Sequence, residues 1–164
     1  MPTDPSGLLG NEAISIPEVH KPPSGLRSPV AGPVIFEILV ATMWSVGELV
    51  ADEVERTRAV AIAMELRELR GGSAFGTIAA GALSFPEIDF ELLNSREARL
   101  AYAAAEWISA TSVPSERRDG FLRALRLRLR LQEHEAAISR DLARSVDAAT
   151  DTVQAAYGLL ANKL

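Results

Sequence analysis

The chain has 164 residues, of which 48% are hydrophobic and 24% charged, and this is enough for one domain with a buried core. The net charge of −5 weakens any general affinity for nucleic acid or anionic lipid. The absence of cysteine excludes disulfides, thiolate metal sites and cysteine nucleophiles. Aromatic residues make up only 5% of the chain, which favours an all-α fold over an aromatic-rich β fold.

The first 32 residues are rich in proline and hold six of the nine prolines of the chain. Such a segment buries too little apolar surface to offset the entropy lost on ordering. It also lacks the basic start and continuous apolar stretch of a secretory signal. We therefore predict a disordered N-terminal arm over residues 1–32 and a helical domain over residues 33–164.

Residues 33–70 form a long segment with Gly47 as its only internal helix breaker. Pro33 suits the first position of a helix, and Arg70 followed by Gly71 suits its end. The pattern predicts one continuous helix, which at 1.5 Å per residue would be about 57 Å long.

Apolar residues recur three and four positions apart along this segment, close to a heptad repeat. The members of this seam are Phe36, Leu39, Met43, Val46, Val50, Val60 and Met64. Glu53 and Thr57 interrupt it. They could fix the register of a buried seam, but we favour the interpretation that Glu53 lies at a solvated edge.

The middle of the chain begins with the uncharged sequence GGSAFGTIAAGALSF at 71–85. Its four glycines disfavour a helix. We favour a connection packed under neighbouring helices, and the alternative is a weakly amphipathic patch that contacts a membrane or another subunit.

Two capping signals follow this connection. Ser84 and Glu87 have the spacing of a capping box and predict a short helix over 88–94. Asn94 can cap a second helix over 96–110, whose core-facing residues would be Leu100, Ala103, Ala104 and Trp107.

The last block runs from Gly120 to the C-terminus. Leucine and arginine alternate at 125–131, a period that fits a strand as well as a helix. We favour a helix because no other segment supplies a strand to pair with it. Further along, an apolar stripe predicts that the block forms one long amphipathic helix. The stripe consists of Ile138, Leu142, Val146, Ala149, Val153, Ala156 and Leu160.

The ionisable residues match no catalytic or metal-binding pattern. The two histidines, His20 and His134, are too few for a carboxylate-bridged di-iron bundle and lie in no nucleophile-elbow context. Glu133, His134 and Glu135 fit a solvated helix surface. We predict a non-enzyme with no catalytic residue, no metal site and no cofactor.

Residues 116–131 carry six arginines and only two acidic residues, although the whole chain is acidic. An arginine-rich helix face can bind phosphates. We favour pairing with the acidic first helix, because arginine forms fork-like pairs with carboxylates. Nucleic acid, an anionic partner or a membrane are the alternatives.

The layout resembles that of small secreted components of type III secretion appendages. Those proteins combine a polar export arm without a cleaved signal, a long apolar-seamed helix, a looser middle and a long terminal helix. The corresponding ranges here are 1–32, 33–70, 71–112 and 120–164. The glycine-rich run after ELREL looks like the small-residue patch of minor translocators, and the chain length is similar to that of the rhizobial nodulation outer protein B, which is pilus-associated.

The resemblance implies a secreted structural component of such an appendage that acts in bacterium–host interaction. Its partners would be further copies of itself and secretion-apparatus proteins, with membrane contact through 71–85. The alternative is a cytoplasmic helical adaptor or a nucleic-acid-associated module using the Arg117–Arg130 face. The residues that we predict to mediate interaction are Val46, Val50, Val60, Arg123, Arg126, Arg130, Leu142, Val146 and Val153. We expect the two long helices to pair as an antiparallel, coiled-coil-like hairpin.

Overall fold

The computed structural model describes residues 31–64 and 84–149, together with residues 158, 162 and 163. Within the long described ranges the α-helices are α1 (Ala31–Trp44), α2 (Ala51–Ala63), α3 (Ser95–Ser109), α4 (Glu116–Arg128) and α5 (Glu133–Ala149). Two 3-10 turns, Phe85–Glu87 and Phe90–Leu92, precede α3. No strand occurs in this part of the chain, so the prediction of an all-α fold is confirmed.

Helix α3 lies at the centre of the fold and packs against α1, α2, α4 and α5. Its residues Leu100, Ala103, Ala104 and Trp107 are fully buried, as the sequence predicts. The predicted cap is also present. The Asn94 side chain accepts the Glu97 N–H at 2.8 Å, and the Glu97 carboxylate accepts the Asn94 N–H at 2.9 Å. Two polar groups at the helix start are thereby satisfied.

The sequence before α3 forms the two 3-10 turns in place of the single short helix predicted over 88–94. The predicted contact between Ser84 and Glu87 is present, since the Glu87 carboxylate accepts the Ser84 N–H at 2.8 Å. Pro86 lies in the first turn, where its missing N–H is no loss because the first N–H groups of a helix have no partner within it.

The prediction of one continuous helix over 33–70 is wrong, because the chain breaks at residues 45–50 between α1 and α2. Gly47 has a φ of +95°, a conformation that residues with a Cβ rarely adopt. Two hydroxyls also bond back to the α1 backbone: Thr42 Oγ1 donates to the Ile38 carbonyl at 2.8 Å, and Ser45 Oγ donates to the Thr42 carbonyl at 2.6 Å. Such bonds compete with regular helix continuation.

The last block is also broken, between α4 and α5, so the prediction of one long helix from Gly120 is wrong. Arg130 has a φ of +59° and ends α4 in a Schellman motif. The Leu131 N–H donates to the Arg126 carbonyl and the Arg130 N–H donates to the Leu127 carbonyl, both at 3.1 Å. The Arg126 guanidinium completes the end by donating to the Leu131 carbonyl at 2.9 Å.

Arg130 occupies a left-handed position at which glycine is the usual residue. Because glycine adopts this conformation without a steric cost, Arg130→Gly should raise the free energy of unfolding by about 0.5–1 kcal/mol. Urea denaturation followed by circular dichroism measures the change. Arg123→Gly, in the regular part of α4, should instead lower stability by about 1 kcal/mol. Equal destabilisation by both would contradict the role assigned to Arg130.

The leucine–arginine stretch is helical to Arg128, which confirms the choice of helix over strand. Leu125 and Leu129 are buried, whereas Leu127 is 64% exposed, so residues two apart lie on different faces. Beyond the turn, Leu131 is buried.

Helix α5 faces the core with a different stripe from the one predicted. Ile138 is 62% exposed, and the buried residues are Ala136, Ser139, Ala143 and Val146. Ala136, Ser139 and Ala143 are small, and the alanine-rich α3 is the main packing partner of α5. Small residues allow two helices to approach closely, so this interface is formed by the residues that carry the weakest hydrophobic signal.

Several predictions fall partly or wholly outside the described residues. These are the disordered arm over 1–30, the C-terminal part of the first long helix, residues 71–83 of the proposed membrane or subunit contact, and most of the terminal stripe beyond Ala149. Ala31 and Gly32 were assigned to the arm, but both are buried in α1. Long helices paired as a hairpin are replaced by shorter helices packed around α3.

Candidate functional site

A buried ion pair joins α2 to α4. Arg118 lies in the first turn of α4, whose N-cap Ser115 accepts the Arg118 N–H at 3.3 Å. The two terminal nitrogens of the guanidinium donate to the two carboxylate oxygens of Glu53, at 2.9 and 3.1 Å. The side chain of Arg118 is 5% exposed and that of Glu53 is fully buried. This is the bidentate geometry that gives strong arginine–carboxylate pairs.

Three serines surround the pair. Arg118 Nε donates to Ser45 Oγ at 2.7 Å, and Nη1 donates to Ser109 Oγ at 2.8 Å. Ser112 Oγ donates to a carboxylate oxygen of Glu53. The guanidinium therefore donates four hydrogen bonds to protein groups out of the five N–H that it carries. Little of its hydrogen-bonding capacity is left for a ligand.

The prediction that Glu53 lies at a solvated edge is wrong, because the arginine of a distant helix compensates its charge in the core. Glu53 is instead a polar residue inside the apolar seam, as the alternative interpretation has it. The predicted pairing of the arginine-rich segment with the acidic first segment is confirmed for Arg118 and Glu53.

A second arginine, Arg56 of α2, contacts α3 and α5 together. It donates to the Trp107 carbonyl oxygen at 2.7 Å, and its guanidinium carbon lies 4.9 Å from the centroid of the Trp107 ring. It also forms an ion pair with Asp147 of α5. A cation over an indole ring is attracted to the negative face of that ring. Arg56 thus holds three helices at the carboxyl-terminal half of α3.

A third arginine, Arg140 of α5, pairs with two α3 residues. Its Nε donates to Glu106 at 3.2 Å and its Nη2 donates to the Tyr102 oxygen at 3.2 Å, while the Tyr102 hydroxyl donates to Glu106 at 2.7 Å. Burial, and then the hydrogen bond to the Glu106 carboxylate and its charge, raise the pKa of Tyr102 to about 12 against the opposing effect of Arg140. Burial disfavours the charge of Arg140, but Tyr102 and Glu106 outweigh it and raise the pKa of Arg140.

Ionisation of Tyr102 should therefore destabilise the fold at high pH. The phenol has a pKa near 10 when unfolded and about 12 when folded, so its protonated form favours the folded state. The stabilisation that Tyr102 gives the folded state is complete below pH 10 and is lost as pH rises from about 10 to about 12. Spectrophotometric titration of a Tyr157→Phe variant, in which Tyr102 is the sole tyrosine, should show a midpoint near 12. A midpoint near 10 would contradict the buried contact with Glu106.

A cleft of about 410 Å3 opens beside this arginine cluster, which we define as Arg56, Arg118, Arg140 and their carboxylate partners. Its lining includes Glu106, Ser109, Arg118 and Asp147, all of which contact the cluster, and also the exposed Arg144. The acidic groups that reach the cleft from the cluster are held by arginines. The cluster is suited to joining helices, and the cleft beside it is also lined by the exposed carboxylate of Asp119.

A larger groove of about 830 Å3 lies between the 3-10 turns and the end of α4. Arg128 lies over the rings of Phe85 and Phe90, at 5.5 and 5.8 Å from their centroids. Phe85 also contacts Phe121, with ring centroids 5.1 Å apart. These contacts attach the two turns to α4.

The residues predicted to mediate interaction fall into four groups. Val60 and Val146 are buried in the core, where they contribute to packing within the chain. Val46, Val50 and Leu142 are half-buried, the first two in the 45–50 break. Arg123 and Arg130 are exposed, and Arg126 is tied to the end of its own helix. Val153 lies outside the described residues.

Sequence reasoning missed Arg56, Arg140 and Tyr102. Arginines and carboxylates on amphipathic helices are usually solvated, so single positions gave no sign of burial. One signal was available: Tyr102 and Glu106 are four residues apart, which places them on one face of a helix.

The ranges 31–64 and 84–149 contain no group of three or more metal-ligating side chains and no helix long and apolar enough to cross a membrane. Comparison with protein-family models, with curated proteins and with solved structures finds no match.

Proposed function

We propose that this protein is a non-enzymatic helical interaction protein. The observation that carries the proposal is the arginine cluster. Its most buried charges, Arg118 and Glu53, neutralise each other through two hydrogen bonds, and Ser45, Ser109 and Ser112 take three more bonds of the pair. Because the guanidinium already donates four of its five N–H bonds to protein groups, it has little capacity left to bind a substrate. Its chemistry favours a role in holding helices together.

Within that class, we propose a secreted component of a type III secretion appendage that acts in bacterium–host interaction. The support is the organisation of the sequence: a proline-rich amino-terminal segment, an apolar-seamed helical segment, a glycine-rich middle and an amphipathic end. The broken helices favour a compact subunit over a long rod. Self-association and contact with secretion-apparatus proteins belong to the same proposal, and so does contact with a membrane or another subunit through 71–85.

Export decides this assignment. An epitope-tagged protein expressed in wild-type and export-defective cells should accumulate in the culture supernatant only of the former. A second tagged chain that lacks residues 2–30 separates export from folding, because it retains every described helix. Equal retention in both strains would remove the appendage proposal and leave the helical interaction protein.

Self-association is tested separately by measuring molar mass by light scattering across a hundredfold range of protein concentration. An increase in mass with concentration supports it. A constant monomer mass of 17.6 kDa would contradict self-association of the isolated protein.

A second candidate, a cytoplasmic adaptor for an anionic partner or nucleic acid, is favoured by one observation. Arg117, Arg123, Arg128 and Arg130 are all exposed on or next to α4. Replacing Arg123 and Arg130 by glutamine should weaken binding to such a partner and reduce the dependence of that binding on salt. Arg58→Gln, at an exposed position of α2, is the matched control.

A further inference from the structure

Helix α1 is the most completely buried of the helices along its length. Eleven of its 14 residues are buried, including Ile35, Phe36, Ile38 and Leu39 with no exposed surface. It packs on α3 and also contacts α2 and α4. A helix that is apolar on nearly all sides requires a binding site on the rest of the fold. That site exists on every copy of the chain.

The connection from α1 to α2 is held by local hydrogen bonds and by two side chains of α4. The Ser45 N–H and Oγ donate to the Thr42 carbonyl at 3.2 and 2.6 Å, and the Gly47 N–H donates to the Trp44 carbonyl at 2.9 Å. Gly47 supplies the left-handed backbone conformation. Arg117 Nη1 donates to the Val46 carbonyl at 3.4 Å, and Arg118 Nε donates to Ser45 Oγ at 2.7 Å. Residues 45–50 themselves are half-buried or exposed. Little core packing therefore opposes a change in their backbone.

The sequence through this connection also fits a straight helix. The apolar seam continues across the break with three- and four-residue spacing, from Met43 to Val46 and then to Val50. If residues 45–50 became helical, α1 and α2 would form one helix over 31–63, about 50 Å long. In that conformation α1 would point away from its own α3.

We propose that this connection is a hinge through which two copies of the chain exchange α1. Each straightened helix would place α1 against the α3 of the other copy, so the buried surface of α1 is recovered in full and only the hinge changes. Exchange of an identical element through a short hinge is a low-cost route to a symmetric dimer. The inference rests on the self-association proposed above and names how the two copies join.

Substitution of Gly47 tests the hinge. Gly47→Ala favours helix and disfavours the positive φ, and its Cβ would meet Arg117 Nη1 at 2.9 Å. We expect its dimer dissociation constant to be roughly tenfold or more below that of the wild type, with helical content higher by about six residues, the length of 45–50. Light scattering after size exclusion and circular dichroism measure both.

Two matched controls separate backbone conformation from side-chain size. Gly47→Asn adds a larger side chain at the same place, but asparagine tolerates a positive φ, so it should behave as wild type. Gly120→Ala adds a Cβ inside α4, where the nearest atom is Arg123 Nη2 at 3.8 Å, and it should not change the mass.

A folded, monomeric Gly47→Ala variant with wild-type helical content would overturn the exchange, and so would loss of its helical structure. The exchange would also be overturned if Gly47→Asn lowered the dimer dissociation constant as much as Gly47→Ala does. If the wild type associates but none of these variants alters its mass, self-association stands and the exchange fails.

Discussion

Arg118→Ala should lower the free energy of unfolding by about 3–5 kcal/mol, one of the largest effects expected in this chain. The substitution leaves the fully buried Glu53 carboxylate without its counter-charge. It also removes the donors to Ser45 and Ser109, so the start of α4 loses its links to the α1–α2 connection and to α3. Urea denaturation followed by tryptophan fluorescence and circular dichroism measures the loss.

Arg123→Ala is the matched control for Arg118→Ala. Arg123 lies on the same helix, is exposed and should change stability by less than about 0.5 kcal/mol. A small effect of Arg118→Ala, comparable to that of Arg123→Ala, would show that the ion pair does not hold α2 and α4 together.

Leu125→Ala should cost about 2–5 kcal/mol, because Leu125 is fully buried where α4 faces the core. The cost combines lost burial of apolar surface with the cavity left behind. Thermal and urea unfolding of the variant give the value. Leu129 and Leu122 lie near the same face and are also buried, so the site has little room to collapse without moving neighbours.

Leu127→Ala is the matched control for Leu125→Ala, because it truncates another leucine two positions further along the same helix. Leu127 is 64% exposed, and its truncation should change stability by less than about 0.5 kcal/mol. The pair discriminates helix from strand, since a strand places residues two apart on one face. Equal costs at Leu125 and Leu127 would contradict the helix.

The helical class and the central helix could be predicted because their signals are local. Asn94 and Glu97 form a cap through atoms three residues apart, and Leu100, Ala103, Ala104 and Trp107 share one face by helical spacing alone. The helical state of 116–128 followed from the lack of a partner strand.

The two breaks could not be placed from local sequence. A single glycine, Gly47, is tolerated inside many helices, and here Arg117 and Arg118 from another helix help to hold the bend. Arg130 is a poor candidate for a left-handed residue, yet the Schellman bonds and the burial of Leu131 hold it there. Tertiary contacts decide both positions.

The core face of α5 was misplaced for a related reason. The spacing of large apolar residues predicts that Ile138 and Leu142 face the core. The residues of α5 that are buried instead include Ala136, Ser139 and Ala143. Close approach of two helices favours small side chains, which carry little hydrophobic signal. Among the described side chains of α5, Val146 belongs to both stripes.

The sequence predicted that arginines of this segment pair with carboxylates, but it did not predict which arginine does so. The excess of arginine at 116–131 indicated pairing with acidic residues, and Arg118 does pair with Glu53, 65 positions away in the sequence. Nothing local distinguishes Arg118 from the exposed Arg117 and Arg123, because the difference lies in which helix face meets α2 and α3.

The stability of a double variant, Glu53→Leu with Arg118→Met, tests most directly whether this ion pair is a structural link between helices. Removing both charges leaves no uncompensated group in the core, so the double variant should recover most of the stability lost in either single variant. A double variant that is as unstable as Arg118→Met alone would contradict the account.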